Sequence, residues 1–411
     1  MSLATLLAET AAHFPDRPAL AFQERRISYR ELDAAAAAAE PAARVLPLPM
    51  PNVPDAVGRY HGALRRGAVV VPLNPLLSER EVAQRRRPFD PEPETAVVLY
   101  TSGTTARPKR VELSHEVLLA NTRAIVAALR FRADDVLFCS APLSHVFGMT
   151  SCMNAAIAAG ACLALQERFD AAAALDLIER EGVTVFMGVP AMLTALLAAS
   201  DATGRAPAMR LAHVGAAPLA PGTLHAFEER FGATVLEGYG MTEAVGVVTV
   251  NHAGRPRKAG SVGTPVAGTA VRIAADGEVL VGIGGRWIES GDVGRLDEDG
   301  HLFLLDRKKD VIFRGGYSVY PREVEEVLLE HPAVREAAVV GVPDDRLGEE
   351  VVAVVVAGAA GEDLKAFARE RLAAYKYPRL VAVVQELPRS ATGKILRRDI
   401  DRAHLARLLH G

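Results

Sequence analysis

The sequence predicts a large N-terminal α/β domain of doubly wound sheets with a small β-barrel-like region, followed by a smaller α+β C-terminal domain. Three observations carry this prediction. Between residues 96 and 236, apolar β-rich runs take turns with helical patterns, as in a mostly parallel sheet covered by helices. From Gly260 the texture changes to short strands and tight turns. A charge cluster, Asp306-Arg-Lys-Lys-Asp310, then separates this body from residues 311–411, a normal span for one more domain. The expected division is therefore 1–306, a hinge at 307–310, and 311–411.

Taken in order, residues 1–12 read as an amphipathic helix and 19–22 as a short strand. Ser28-Tyr-Arg-Glu31 has capping-box spacing, so a helix is expected from there to Ala39, ended by Pro41. Prolines 47, 49, 51 and 54 mark an extended connection; helix 55–66 and strand 68–73 follow. A polar, Arg- and Pro-rich segment, 78–94, leads to a buried strand at 96–100. Beyond it, helices are expected at 116–129, 150–159, 171–181 and 221–231, and strands at 136–139, 161–165, 183–187, 211–214 and 233–236. Ligands of such sheets sit beyond the carboxyl ends of strands, which puts the turns after Tyr100, Ser140, Met187, Val214 and Leu236 on one rim. Short strands at 271–273, 278–281 and 302–305 form the barrel or antiparallel extension. The last domain reads as helix 321–330, strands 337–342 and 351–356, helix 363–373 and strand 380–384.

Composition narrows the function classes. Across 411 residues, half are hydrophobic, 24% are charged and the formal net charge is −3, so nothing favours nucleic acid as a partner. Cys139, Cys152 and Cys162 lie in apolar surroundings without metal-ligand spacing and read as buried thiols of a reducing, cytoplasmic compartment. Residues 1–14 lack a basic leader and carry Glu9, so no signal peptide is expected. Residues 146–165 are long enough to span a bilayer, but Gly148, Asn154, Gly160 and their hydroxyl neighbours read instead as a buried helix and strand.

The stretch Val98-Leu-Tyr-Thr-Ser-Gly-Thr-Thr-Ala-Arg-Pro-Lys109 carries the first chemistry. Backbone N–H groups around Gly103, the hydroxyls of Thr101, Ser102, Thr104 and Thr105, and the Lys109 cation suit phosphate oxygens. Only 7 of the 47 basic residues are lysines, which makes a lysine here less of a filler. Gly238-Tyr-Gly-Met-Thr-Glu243 offers a ring for a base, a hydroxyl for a phosphate and a carboxylate for Mg²⁺. Ser290-Gly-Asp292 sets a carboxylate in a tight turn, suited to a ribose diol. Ser390-Ala-Thr-Gly-Lys394 puts a lysine on a loop that can reach into a cleft.

In this order, with Pro142-Leu-Ser-His145, Gly215-Ala-Ala-Pro218, Arg307 and Gly315-Gly316-Tyr317, the motifs resemble the adenylate-forming superfamily of acyl-CoA synthetases, luciferases and peptide-synthetase adenylation domains. Residues 142–149 and 306–321 look most like medium- or long-chain fatty acyl-CoA ligases. The resemblance implies that a carboxylate attacks the α-phosphate of ATP, giving acyl-AMP, and that the coenzyme A thiol then displaces AMP. It implies further that Thr101 to Thr105 and Lys109 grip the β- and γ-phosphates, Thr242 the α-phosphate, and Glu243 the Mg²⁺. Tyr239 and Gly215, Ala216, Ala217 and Pro218 would hold adenine, and Asp292 with Arg307 the ribose. Lys394 would serve the first half-reaction, Lys309 the hinge of a rotating C-terminal domain, Gly315 and Gly316 a pantetheine tunnel, and His145 its gate. Met149, Met153, Met187, Met192 and Val189 are candidate walls for an aliphatic acid, and residues 136–166 hold no arginine for a second carboxylate.

The chain departs from the pattern at Ala106 and Arg110, where glycine is usual, and it is shorter between Asn74 and Thr101, before Val45 and around 277–287. A shortened sheet exposes an edge, from which a homodimer is a further expectation. Two other readings are an enzyme that loads an acyl carrier protein and a shortened paralogue that binds nucleotide without turnover.

Overall fold

The predicted alternation of strand and helix builds a nine-stranded sheet in the computed structural model, which describes residues 2–39, 43–101, 109–344, 346–389 and 395–410. Its order is Thr264–Pro265, Gly246–Val250, Thr234–Met241, Leu211–Val214, Val185–Gly188, Val136–Cys139, Cys162–Leu165, Pro18–Phe22, Arg25–Ser28. The six central strands run parallel, and antiparallel pairs close both edges. Successive side chains alternate between two cores: Val185 and Met187 pack with Ile125 on one face, while Phe186 packs with Leu175, Leu193 and Phe227 on the other.

Chain order reverses between the neighbouring strands Val136–Cys139 and Val185–Gly188, since the strand next in sequence lies on the far side of the first. The connections leaving their carboxyl ends therefore run to opposite sides, and such a reversal point is the usual ligand position in sheets of this kind. The turn at 140–145 and the turn at 188–190 flank it.

Four strands, Val45–Pro49, Val69–Leu73, Thr95–Thr101 and Lys109–Ser114, form a separate sheet in that order. The expectation of a single rim is corrected here: the turn after Tyr100 leaves this sheet, not the nine-stranded one. The proline-rich connection is also a strand, because Pro47 and Pro49 alternate with Leu46 and Leu48 along one edge. Arg44 accepts from Val69 N–H at 2.8 Å and Met50 N–H donates to Leu73 at 2.9 Å, so even-numbered residues face the partner strand. The outward-facing backbone positions are 45, 47 and 49, and two of these are prolines.

Helix Pro190–Thr203, missed in the sequence, covers the second core. The helix expected at 150–159 is a π-helical turn, Phe147–Asn154, continued by the α-helix Ala155–Ala159. It starts early because Gly148 lies against the preceding turn, where a Cβ would stand 2.3 Å from the Pro142 carbonyl oxygen. Among the described residues no helix is long and apolar enough to cross a membrane. The three cysteines are buried and free.

The chain divides into two compact units: Met1–Val271 with Val281–Ile288 and Glu298–Leu302, and Arg272–Leu280 with Glu289–Asp297 and Phe303–Gly411. The barrel-like region is an open four-stranded sheet of Thr269–Ile273, Glu278–Ile283, Arg286–Leu296 and Leu302–Arg307, and the division passes through its strands. The second unit carries a five-stranded sheet in which Gly348–Ala357 pairs with Val334–Asp344, Ile312–Arg314 and Leu380–Val383. Val324, Leu328 and Leu364 of the helices Pro321–Leu329 and Gly361–Arg371 cover one face, and Leu405 of Arg402–His410 covers the other. This is the expected α+β domain.

Candidate active site

In the first unit, two motifs 142 residues apart meet: the Thr101 hydroxyl donates to Glu243 Oε1 at 3.3 Å. Thr101 ends a strand whose register pairs it with Lys109, so the strands on either side bring both ends of the hydroxyl-rich turn together. Ser102, Gly103, Thr104 and Thr105, with Ala106, lie outside the described residues. Glu243 follows Thr242 in a single 3₁₀ turn after the strand Thr234–Met241. Thr101, Thr242 and Glu243 are all half-buried.

The turn 238–246 is built on close backbone approach. A Cβ on Gly240 would fall 1.9 Å from the Gly246 carbonyl oxygen, so no other residue fits without moving the strand Gly246–Val250. Gly215 lies beside it, with the Gly238 carbonyl oxygen 3.2 Å from where its Cβ would be. Gly215 is buried, Ala216, Ala217 and Pro218 are exposed, and Tyr239 is buried. The expected adenine loop and tyrosine turn are therefore neighbours.

Two strained residues flank this region. Ala216 and Val245 both have φ +67°, a left-handed conformation that Cβ branching makes especially unfavourable at valine. Such strain, roughly 1–3 kcal/mol, collects at functional sites. The sequence missed both, because neither is a glycine or asparagine and nothing local announces the conformation.

His145 is exposed in the turn that opens the π-helix; its carbonyl accepts from Met149 N–H at 2.9 Å and its Nδ1 from Phe147 N–H at 3.3 Å. With Nδ1 engaged as acceptor, the neutral ring carries its proton on Nε2. Phe147 in turn meets His213, ring centroids 5.7 Å apart. Burial pushes the His213 imidazole down to about 4, and its Nδ1 donates to the Leu236 carbonyl at 3.1 Å, so it is a neutral, fixed wall. Met149, Met153 and Met187 are wholly buried core residues, whereas Val189 and Met192 are partly exposed beside Gly188.

Arg110, where the resemblance leads one to expect glycine, has a partner set of its own. Its guanidinium lies 4.5 Å from the Phe89 ring centroid and pairs with Glu112 at 3.0 Å. Glu112 also accepts from Glu92 N–H and Thr95 Oγ1, both at 2.9 Å. The segment 89–95 is thus fastened to the strand Lys109–Ser114.

In the second unit, Asp292 pairs with Arg307 at 2.7 Å. The tight turn expected at Ser290-Gly-Asp292 is corrected here: these residues lie in the middle of the strand Arg286–Leu296, where Gly291, φ +71°, supplies a local left-handed kink that its missing side chain permits. Gly291 N–H donates to Glu278 at 2.9 Å, and Asp292 N–H donates to Ser290 Oγ at 3.0 Å. Lys308 binds Asp276 and Glu278, each at 2.7 Å, and Lys309 is exposed in the 3₁₀ turn Lys308–Asp310. Gly315 and Gly316, φ +58° and +84°, form the hairpin between Ile312–Arg314 and Tyr317–Val319, and Gly315 N–H donates to Leu347 at 2.8 Å. Tyr317 stacks on Tyr375, centroids 4.5 Å apart. Lys394 lies outside the described residues.

Among the described residues no group of three or more His, Cys, Asp or Glu side chains could hold a metal ion alone. Glu243 with the Thr101 hydroxyl fits a hard cation that brings most of its oxygen ligands with it, as a phosphate-bound Mg²⁺ does.

A hydroxyl-rich turn joined to a Thr-Glu turn, beside a glycine-led loop and with an Asp–Arg pair further along the chain, is the equipment of an adenylate-forming enzyme. Residues 7–87 and 84–291 match the AMP-binding enzyme family and residues 323–394 its C-terminal domain, so the chain belongs to the AMP-binding enzymes. It is 31% identical to a long-chain-fatty-acid–CoA ligase of Bacillus subtilis, over 97% of this chain and 94% of that one. That alignment runs over 527 positions, more than this chain has residues, so the relative carries segments absent here. A 2-succinylbenzoate–CoA ligase of Bacillus cereus is 35% identical over 78% of this chain and 72% of its own. The crystal structure of ATP-bound MatB from Rhodopseudomonas palustris superimposes with a TM-score of 0.86 at 28% identity, covering all of both chains. The named relatives are acid–thiol ligases, and the chain is an enzyme of that class.

Proposed function

We propose that this protein is an ATP- and Mg²⁺-dependent ligase that activates a medium- or long-chain fatty acid as acyl-AMP and transfers it to coenzyme A. The single observation that supports it most is the bond between Thr101 and Glu243, which joins the phosphate turn to the expected metal ligand. The fatty substrate is supported by the likeness to the Bacillus subtilis enzyme along almost the whole chain and by the lack of any Asp, Glu, Lys or Arg across residues 136–166. Buried free thiols support a cytoplasmic setting.

In this reading a carboxylate oxygen bonds to the α-phosphorus as the bond to the pyrophosphate oxygen breaks. The coenzyme A sulfur then bonds to the acyl carbon as AMP leaves, and the thiol proton goes to solvent. Bound Mg²⁺ supplies charge neutralisation for phosphate oxygens. Glu243 orients toward the metal, held by Thr101, and Thr242 offers its hydroxyl to the α-phosphate. Asp292 accepts the ribose hydroxyls, and Arg307 keeps that carboxylate ionised and aimed. Lys394 neutralises charge between carboxylate and phosphate in the first step, and residues 307–310 act as the hinge between the two steps.

Acid-dependent exchange of labelled pyrophosphate into ATP, followed by coenzyme A thioester formation, tests the reading on straight-chain acids of increasing length. Exchange with C8 to C18 acids that Lys394→Ala abolishes is the expected result. Exchange only with aromatic or dicarboxylic acids overturns the fatty assignment, and exchange without thioester formation overturns the ligase.

A further inference from the structure

The second unit holds a buried charge node that the reaction as described does not use. Arg397 grips Glu325 with both arms of its fork, Nε to Oε1 at 3.0 Å and Nη2 to Oε2 at 2.6 Å. The same guanidinium reaches Asp306 at 3.4 Å and Asp310 at 3.3 Å. Asp306 is further held by the N–H groups of Arg307 and Arg322, both at 2.7 Å, and Glu325 by the N–H of Val339 at 2.7 Å. Three carboxylates from the 306–310 segment and the helix Pro321–Leu329 thus converge on one cation just beyond the 390–394 loop. Burial raises the Asp306 and Glu325 carboxyls, and Arg397 opposes the rise, so these groups depend on it to stay charged.

The two arms of the loop are tied as well. Arg389 and Ile395 form an antiparallel bridge, and Leu396 N–H donates to the Pro388 carbonyl at 2.8 Å. Arg389 pairs with Glu336 of the strand Val334–Asp344 at 2.7 Å. One arginine therefore anchors the entering arm on the sheet, and another anchors the leaving arm on a helix and on residues 306–310.

We propose that Arg397 is a positioning residue for the first half-reaction, fixing the stem of the 390–394 loop to Glu325 of the helix Pro321–Leu329 and to Asp306 and Asp310, which stand at the two ends of the hinge segment. This rests on the reading of Lys394 as the residue that serves adenylation. A bidentate pair sets direction as well as distance, and a loop whose stem pivots on it loses both when the fork is removed.

The test is a split of the two half-reactions in the full-length enzyme. Arg397→Gln should lower the maximal rate of pyrophosphate exchange about 100-fold, the scale of a 1 Å misplacement, with KM for ATP within about threefold. Thioester formation from supplied acyl-adenylate should stay within about threefold of wild type, and Arg397→Lys, which keeps charge without the fork, should fall between. Arg389→Gln, at a more exposed pair, should lose about tenfold in the first step alone, and it decides the matter if Arg397→Gln does not fold. Exchange unchanged in the folded variants, or equal loss in both steps, overturns the proposal. Wild type without exchange on any acid, or Lys394→Ala with full exchange, instead overturns the functional reading, and the positioning role falls with it.

Discussion

The Asp292 carboxylate, one-tenth exposed, is held 2.7 Å from the half-exposed guanidinium of Arg307, fifteen residues further along the same sheet. The pair is asymmetric: the acid is fixed and the base is free to follow a ligand. Asp292→Ala should raise KM for ATP by roughly 10–100-fold, the worth of one charge-assisted hydrogen bond set. It should also weaken AMP retention in thioester formation. Isothermal titration with AMP checks this, and unchanged AMP affinity would remove Asp292 from the ribose site.

Thr101 acts on Glu243 and so should act on metal use. Thr101→Val should raise the Mg²⁺ concentration for half-maximal exchange about tenfold, within the usual range for a group that orients a ligand. Glu243→Gln should raise it further and lower the maximal rate. A Mg²⁺ titration that leaves both midpoints at the wild-type value would show that the hydrogen bond has no part in metal binding.

Gly240→Ala puts a methyl into the Gly246 carbonyl. The strand Gly246–Val250 has to move, and its edge pairing with Thr234–Met241 shifts. Stability should fall by about 2–3 kcal/mol, measured by denaturant unfolding, with adenylation lost. Gly222, where an added Cβ meets nothing within 4 Å, serves as the control, and equal melting of the two variants would contradict the packing.

Asp135 carries a pH signature. Burial pushes its carboxyl up, but the Arg210 fork, the Thr184 hydroxyl at 2.7 Å and the Arg132 N–H at 2.8 Å outweigh that, so it ends below the ordinary value. A carboxyl lowered on folding adds stability above its unfolded value near 3.9 and loses it as pH falls through the folded value. Asp135→Asn should cost about 3 kcal/mol at pH 7, and the gap to wild type should close below about pH 4. Thermal melts across pH 3–8 check this; a gap constant with pH would mean the loss is one of packing alone.

The legible parts were those whose causes are local. The Ser28–Glu31 capping box forms as read, with the Glu31 carboxylate back on Ser28. The alternation that gave the parallel sheet, and the motif residues at strand ends, needed no knowledge of distant partners. What escaped depended on distance or on unmarked backbone. The meeting of Thr101 with Glu243 joins two sheets, which no single-sheet rim anticipates. A second capping box, Ser78 with Glu81, was hidden in an arginine-rich run that reads as loop. Helix Pro190–Thr203 is apolar nearly all round and shows no stripe. The left-handed turns at Ala216 and Val245 carry no residue that asks for them.

The prolines of Val45–Pro49 bear on how copies of this chain behave when crowded. A neighbouring molecule seeking to add itself as another ribbon finds hydrogen missing at two of three nitrogens on that border. That border is therefore a poor template for fibre growth and needs no covering subunit to shield it.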